Sequence, residues 1–126
     1  MRLLLDTSVL IDVLRGRNGR REMLAGFVRA GHTLSTTSLN IAEVYVGMRP
    51  HEESSTEALL DQLECHELTG RAGRLAGKFI GEWKQKGRTL ELPDTVVAAI
   101  SIERKCVLVT DNRKDFPMPK LSLFPL

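Results

Sequence analysis

Cys106-Val-Leu-Val-Thr110 is an unbroken apolar run that ends on a hydroxyl and is followed at once by Asp111. Its counterpart at the start of the chain is Arg2-Leu-Leu-Leu5, followed at once by Asp6. A strand with one face in water alternates apolar and polar residues, whereas a strand covered on both faces does not. Both runs therefore predict strands inside a sheet with helices on each side, each with a carboxylate at its carboxyl end.

The chain between them alternates helix with strand. Thr7 or Ser8 caps a helix to about Leu14, with Val9, Leu10, Val13 and Leu14 on one stripe. Gly16 to Gly19 is a turn, and a helix over Arg20 to Ala30 stops at Gly31. Thr33 to Thr36 reads as a second strand. Ser38 opens a helix, S-L-N-I-A-E-V-Y-V-G-M, that closes near Pro50. A polar connection over 51–55 leads to a helix over Thr56 to Leu63 and a third strand within Leu63 to Leu68. Thr69 or Gly70 begins a helix to about Lys86 whose stripe is Leu75, Phe79, Ile80 and Trp83. Pro93 and Asp94 begin another through about Arg104, and Leu121 to Phe124 is a weaker final strand. The pattern predicts an α/β fold with a parallel sheet between two helical layers, in which the functional crevice lies beyond the carboxyl ends of the strands.

A length of 126 residues fits one domain over 1–126, long enough to bury roughly two-thirds of its unfolded surface. Aromatic residues make up only 5%, so the core rests on Leu, Val, Ile and Ala. Cys65 and Cys106 each lie in a short apolar run and read as buried small hydrophobes in a reducing compartment; their separation excludes a zinc site. The apolar burst at Leu3 to Leu5 is cut by Asp6 and is too short for a signal peptide, and no run approaches the ~18 residues of a membrane span. The protein is expected in the cytoplasm, without a membrane partner.

The acids carry the chemistry. Asp6 and Asp111 directly follow strands, and Asp94 opens a helix just ahead of an apolar face. Each has a plain alternative, as a helix cap for Asp6 and Asp94 and as a turn residue for Asp111. Glu43 is harder to set aside: Ile41, Ala42, Val44, Tyr45 and Val46 leave little polar face for it, and a buried carboxylate needs a metal, a base or a proton. If the sheet is parallel, these acids meet at one edge and repel unless a cation neutralises them. Hard oxygen donors with few histidines favour Mg²⁺ or Mn²⁺ over zinc. His32, His51 and His66 read as surface or packed residues, and neither a nucleophile elbow nor a Gly-rich phosphate loop is present.

Four segments then resemble one family. L-L-L-D-T-S-V-L-I-D, N-I-A-E-V-Y-V-G-M, L-P-D-T-V-V-A-A-I-S-I and V-L-V-T-D-N-R-K-D-F, in this order and spacing, resemble the PIN-domain nucleases, in particular the VapC-type toxins of bacterial toxin–antitoxin pairs. The resemblance implies a three-layer α/β/α domain with a five-stranded parallel sheet. It implies cleavage of single-stranded RNA with Mg²⁺ or Mn²⁺, leaving 5′-phosphate and 3′-hydroxyl ends. Carried over by position, the acids are Asp6, Glu43 and Asp94; the fourth is Asp111, which directly follows the strand, or Asp115 close behind it. Thr7, Ser8, Thr110 and Asn112 would be supporting polar residues. The resemblance also implies a cognate antitoxin and a homodimer.

On this reading Asp6 and Asp94 hold a metal that activates water, and Glu43 and Asp111 bind a second or position the attacking water. Net charge is only +2, so basic residues must flank the acids if RNA is to approach. Arg15, Arg17, Arg20 and Arg21 form one group, Arg71 and Arg74 a second, and Lys84, Lys86 and Arg88 a third. Two other classes fit less well. A phosphotransfer enzyme with an Asp6 nucleophile wants a second Asp where Ser8 stands. A PIN-fold binding module without catalysis has no need of the full set of acids.

Overall fold

The structure is a computed structural model that describes residues 1–126. Its helices and strands are β1 (Arg2–Leu5), α1 (Thr7–Arg15), α2 (Arg20–Arg29), β2 (Thr33–Thr37), α3 (Ser38–Val46), α4 (Glu53–Leu60), β3 (Glu64–His66), α5 (Gly70–Gln85), α6 (Leu92–Glu103), β4 (Val107–Val109) and β5 (Ser122–Leu123). All strand pairs are parallel, and the sheet order is β3-β2-β1-β4-β5. The chain winds from β1 outward through β2 and β3, then returns to place β4 on the other side of β1. That reversal opens a crevice at the carboxyl ends of β1 and β4, where a parallel sheet offers a binding site.

The unbroken apolar runs have the predicted cause. Leu3 and Leu5 point into one core with Val9, Leu10, Phe27, Leu34, Val44 and Val109. Leu4 and Leu108 point the opposite way, into a core built with Ala72, Ala76, Phe79 and Val96 through Ile100. The layers are thus α1, α2 and α3 on one face and α5 and α6 on the other. Burying a Leu side chain contributes about 2 kcal/mol, so strand residues that bury on both sides anchor both layers.

β2 is polar by composition yet buried from Leu34 to Thr37. Its hydroxyls are matched by the neighbouring strand: Ser35 Oγ donates to Leu3 O at 2.8 Å and Thr36 Oγ1 to Leu5 O at 3.0 Å. A buried hydroxyl is tolerated only with such a partner.

Several local expectations change. Asp6, not Thr7 or Ser8, caps α1, because its side chain reaches Thr7 N as the chain leaves β1 extended. α1 ends at Gly16, whose φ of +64° is the left-handed conformation that favours glycine. The segment expected as a polar connection over 51–55 is helical: a single turn at Pro50–Glu52, with Glu52 Oε1 accepting from Arg49 N at 2.8 Å, runs straight into α4. Glu53, Ser54 and Ser55 are surface positions of that helix, so their polarity hid it. α5 buries Ala72, Ala76 and Phe79, with Leu75 and Trp83 at the margin; small residues let it close on α6. Cys65 is exposed on the edge strand β3, whereas Cys106 is buried as expected. No helix is long and apolar enough to cross a membrane.

Candidate active site

Asp6 stands at the mouth of the crevice, and its main-chain N–H donates to Val109 O at 3.0 Å, joining the ends of β1 and β4. Its carboxylate is nearly enclosed and fully partnered. Oδ1 accepts from Thr7 N at 2.9 Å and from Asn40 Nδ2 at 3.2 Å; Oδ2 accepts from Thr110 Oγ1 at 2.7 Å. Thr110 is fixed in turn, because its Oγ1 accepts from Asn112 N at 3.0 Å. Burial pushes the Asp6 carboxyl above its usual range and the Glu43 charge adds to this, while the Thr110, Thr7 and Asn40 hydrogen bonds pull it back. Asp6 is therefore both a helix cap and a member of an acidic cluster; the two roles are not exclusive.

Glu43 arrives from α3. Its Oε1 accepts the Thr7 hydroxyl at 2.7 Å. The helix around it is not apolar on a buried surface all round: Tyr45 and Val46 are exposed, and only Asn40 and Val44 are buried. Glu43 is half-buried and turned to the Asp6 side. Ser8, expected as a supporting group, keeps a buried Oγ without a hydrogen-bond partner.

Asp94 sits in the first turn of α6 but does not cap it; Glu91 holds the cap position, with no side-chain bond. The Asp94 carboxyl is raised from 3.8 to about 6, first by burial and then by the charges of Asp115, Asp6, Glu43 and Glu91. Asp94 thus senses three of the other expected acids at once. The closest in effect is Asp115, at the end of the single helical turn Arg113–Asp115. Asp111 instead forms an ion pair with Arg20 Nη2.

These donors suit a hard divalent cation. All are oxygens, and the Asp94 carboxyl is raised first by burial and then by the charges of neighbouring acids, both of which a bound cation would offset. No three of the acids close on one point as a finished ligand shell. Mg²⁺ does not require that, since it keeps several waters and takes one or two carboxylates. The histidines stay apart from this chemistry: His66 is buried with Nε2 3.9 Å from Cys106 Sγ, and burial lowers its affinity for a proton.

The basic groups divide by location. Arg15 pairs with Glu52 at 3.5 Å, and Arg21 donates to Val13 O and Leu14 O at 2.8 and 2.9 Å, so much of the first group is occupied within the fold. Arg88 donates to Lys114 O and so ties the end of α5 to the turn that carries Asp115. Lys86 Nζ lies 4.5 Å from the Trp83 ring centroid, with Arg88 over the same ring. Sequence reasoning missed Asn40 and the Arg20 pair. For Asn40 a signal existed: an amide three residues before Glu43 shares its helix face.

A family model described as PIN domain matches residues 3–118. The chain is 27% identical over 115 residues to Ribonuclease VapC19 of Mycobacterium tuberculosis, covering 91% of this chain and 92% of that protein. It is 23% identical over 126 residues to Ribonuclease VapC2 of Rickettsia felis, covering 95% and 94%. Among solved structures, VapBC2 from Rickettsia felis bound to a promoter DNA fragment superposes with a TM-score of 0.87 at 23% identity over 98% of each chain. DNA-bound VapBC from Salmonella typhimurium superposes with a TM-score of 0.84 at 20% identity, over 98% of this chain and 97% of that one. These superpositions share the parallel sheet and its helical layers.

Proposed function

Since the chain belongs to the PIN-domain family, we propose that it is a divalent-metal-dependent endoribonuclease, the toxin of a toxin–antitoxin pair. The observation that carries this reading is the Asp94 carboxyl, raised to about 6 by burial and by Asp115, Asp6 and Glu43. A half-buried carboxyl raised by burial and by the charges of three neighbouring acids is what a cation site offers.

Asp6 and Asp94 would hold the ion, Mg²⁺ or Mn²⁺, with Glu43 and a fourth acid beside them. We assign the fourth place to Asp115, because its charge acts most strongly on Asp94 while Asp111 is occupied by Arg20. When bound, the cation supplies charge neutralisation at the phosphodiester and activation of water. The chain's own part is orientation. Thr110 and Thr7 N fix both oxygens of Asp6, and the Thr7 hydroxyl fixes one oxygen of Glu43. Glu43 keeps its other oxygen to take a proton from water. Lys86 and Arg88, next to the Asp115 turn, offer positive charge to the phosphates of single-stranded RNA.

An unrestrained ribonuclease harms its own cell, so a cognate antitoxin is part of the proposal; a similar solved structure is a toxin–antitoxin complex from Klebsiella pneumoniae. A homodimer is proposed with it. Val46, 88% exposed on α3, and the hollow of about 420 Å³ between Leu39, Leu68, Leu92 and Val96 leave apolar surface for protein partners.

The test is direct. Purified chain is incubated with end-labelled single-stranded RNA and Mn²⁺. Cleavage should vanish on chelation, return with added metal, and be absent in Asp6→Asn. Cleavage that survives both chelation and that substitution removes the proposal.

A further inference from the structure

We propose that Asn40 is a positioning residue that couples Asp6 to Glu43, so that the two carboxylates meet a divalent cation as one unit. The inference rests on the metal-dependent reading above.

Asn40 has no exposed surface. A buried amide costs free energy unless its polar atoms are bonded, and an apolar residue at an inward helix position would cost nothing of the kind. Each polar atom of this side chain is used. Thr37 Oγ1 donates to Asn40 Oδ1 at 2.7 Å. Asn40 Nδ2 donates to Asp6 Oδ1 at 3.2 Å and to Thr7 Oγ1 at 2.9 Å. Thr7 passes the direction on, because its hydroxyl donates to Glu43 Oε1 at 2.7 Å.

The chain of donors runs one way, from Thr37 through Asn40 and Thr7 to the acids. An ionised carboxylate only accepts, so the amide must turn its NH₂ toward Asp6. The reversed amide would set an oxygen against that carboxylate. One side chain thus fixes an oxygen of Asp6 directly and an oxygen of Glu43 through a single hydroxyl.

A purely structural role does not account for this. Capping of α3 needs only the main-chain N–H of Asn40, which donates to Thr37 Oγ1 at 3.1 Å. The side-chain NH₂ adds nothing to that cap and is spent on the acids and on Thr7. Groups that hold metal ligands from behind set affinity, commonly by 10- to 100-fold when removed.

The experiment measures Mn²⁺ binding to the metal-free, full-length chain from the electron paramagnetic resonance signal of free Mn²⁺, with circular dichroism to confirm folding. Asn40→Ala and Thr7→Val should each weaken binding by about 10-fold or more, while Thr7→Ser, which keeps the hydroxyl, stays within about threefold of the parent. Thr7→Val leaves the Asn40–Asp6 hydrogen bond in place and interrupts only the branch to Glu43, so it decides the matter alone if Asn40→Ala does not fold. Folded Asn40→Ala or Thr7→Val with parental affinity overturns the coupling and leaves the ribonuclease reading intact. A parent chain that binds no Mn²⁺ overturns both.

Discussion

Thr110 and Asp6 are separated by 104 residues of sequence and joined by a hydrogen bond of 2.7 Å from the Thr110 hydroxyl to Asp6 Oδ2. Neither side chain reaches water freely, so the bond is made in a region of low dielectric, where a bond to a charged acceptor counts for more. It also crosses the point where the ends of β1 and β4 part.

Replacing Thr110 by Val keeps the shape and removes the hydroxyl. The substitution strips one partner from a buried carboxylate and the only side-chain acceptor from Asn112 N. Stability should fall by about 2 kcal/mol, the usual range for a bond to a charged group, measured by urea unfolding of metal-free protein near neutral pH. Thr110→Ser should recover most of it. A loss in Thr110→Val below about 0.5 kcal/mol would mean that water replaces the hydroxyl and that Asp6 is less enclosed than its hydrogen bonds indicate.

Asp94 gives the metal-free protein a pH dependence of known sign. Its carboxyl titrates at about 6 in the fold, above the ordinary 3.8 to which it returns on unfolding. Between those values the folded chain holds a proton that the unfolded chain has released. The stability from that proton is complete below the lower value and is lost as pH rises through the upper one. Asp6 acts in the same direction, and His66, held neutral by burial, acts in the opposite one. The informative quantity is therefore the difference between parent and Asp94→Asn. Above about pH 6 the variant should be the more heat-stable of the two without metal, and toward about pH 4 the two should converge. At neutral pH the same variant should lose RNA cleavage about 100-fold or more. A variant no more stable than the parent at neutral pH would remove the picture of mutually repelling acids.

Asp111 and Asp115 separate by the same logic. Asp115→Asn removes the largest charge acting on Asp94, so the Asp94 carboxyl should move down toward its ordinary value, followed by carbon-detected nuclear magnetic resonance. Cleavage should drop about 100-fold. Asp111→Asn breaks the pair with Arg20 and should leave Asp94 nearly where it was, with a loss of cleavage under about tenfold. The reverse ranking would return the fourth place to Asp111.

The residues that made the fold legible were those whose environment is two-sided. Leu3, Leu4 and Leu5 cannot alternate because both faces of β1 are covered, and that, together with the alternation of strands and helices along the chain, implies a parallel sheet with helices on each side. The positions of Asp6 and Asp94 followed from strand ends and helix starts, which are local signals. What stayed hidden was tertiary. Asp111 is next to its strand and Asp115 is four residues on, yet the turn at Arg113–Asp115 carries the later acid toward Asp94 and leaves the earlier one to Arg20. Adjacency in sequence favours Asp111, whereas the charge acting on Asp94 favours Asp115, because distance along a turn is not distance across a crevice. Glu43 stood out for its apolar neighbours, and those neighbours are partly exposed; what marks Glu43 is instead the Thr7 hydroxyl, a hydrogen bond across 36 residues that no local window reveals.

The path of the RNA can be read from salt. Binding of an inactive form, Asp6→Asn, to a short single-stranded RNA should weaken with ionic strength, with a slope that counts phosphates neutralised. Lys86 and Arg88 flank Trp83, and Arg88 is fixed to the turn that carries Asp115. Lys86→Ala or Arg88→Ala should reduce the slope by about 0.7 for each phosphate that is no longer neutralised. Arg21 is spent on the carbonyls of Val13 and Leu14, so Arg21→Ala should lower thermal stability and leave the slope unchanged. If the slope ignores Lys86 and Arg88 but responds to Arg71 and Arg74, the strand runs along the outer face of α5 and enters the crevice from the other end. If it responds to Arg21, that guanidinium exchanges its carbonyl partners for phosphate, and the first basic group belongs to the substrate path after all.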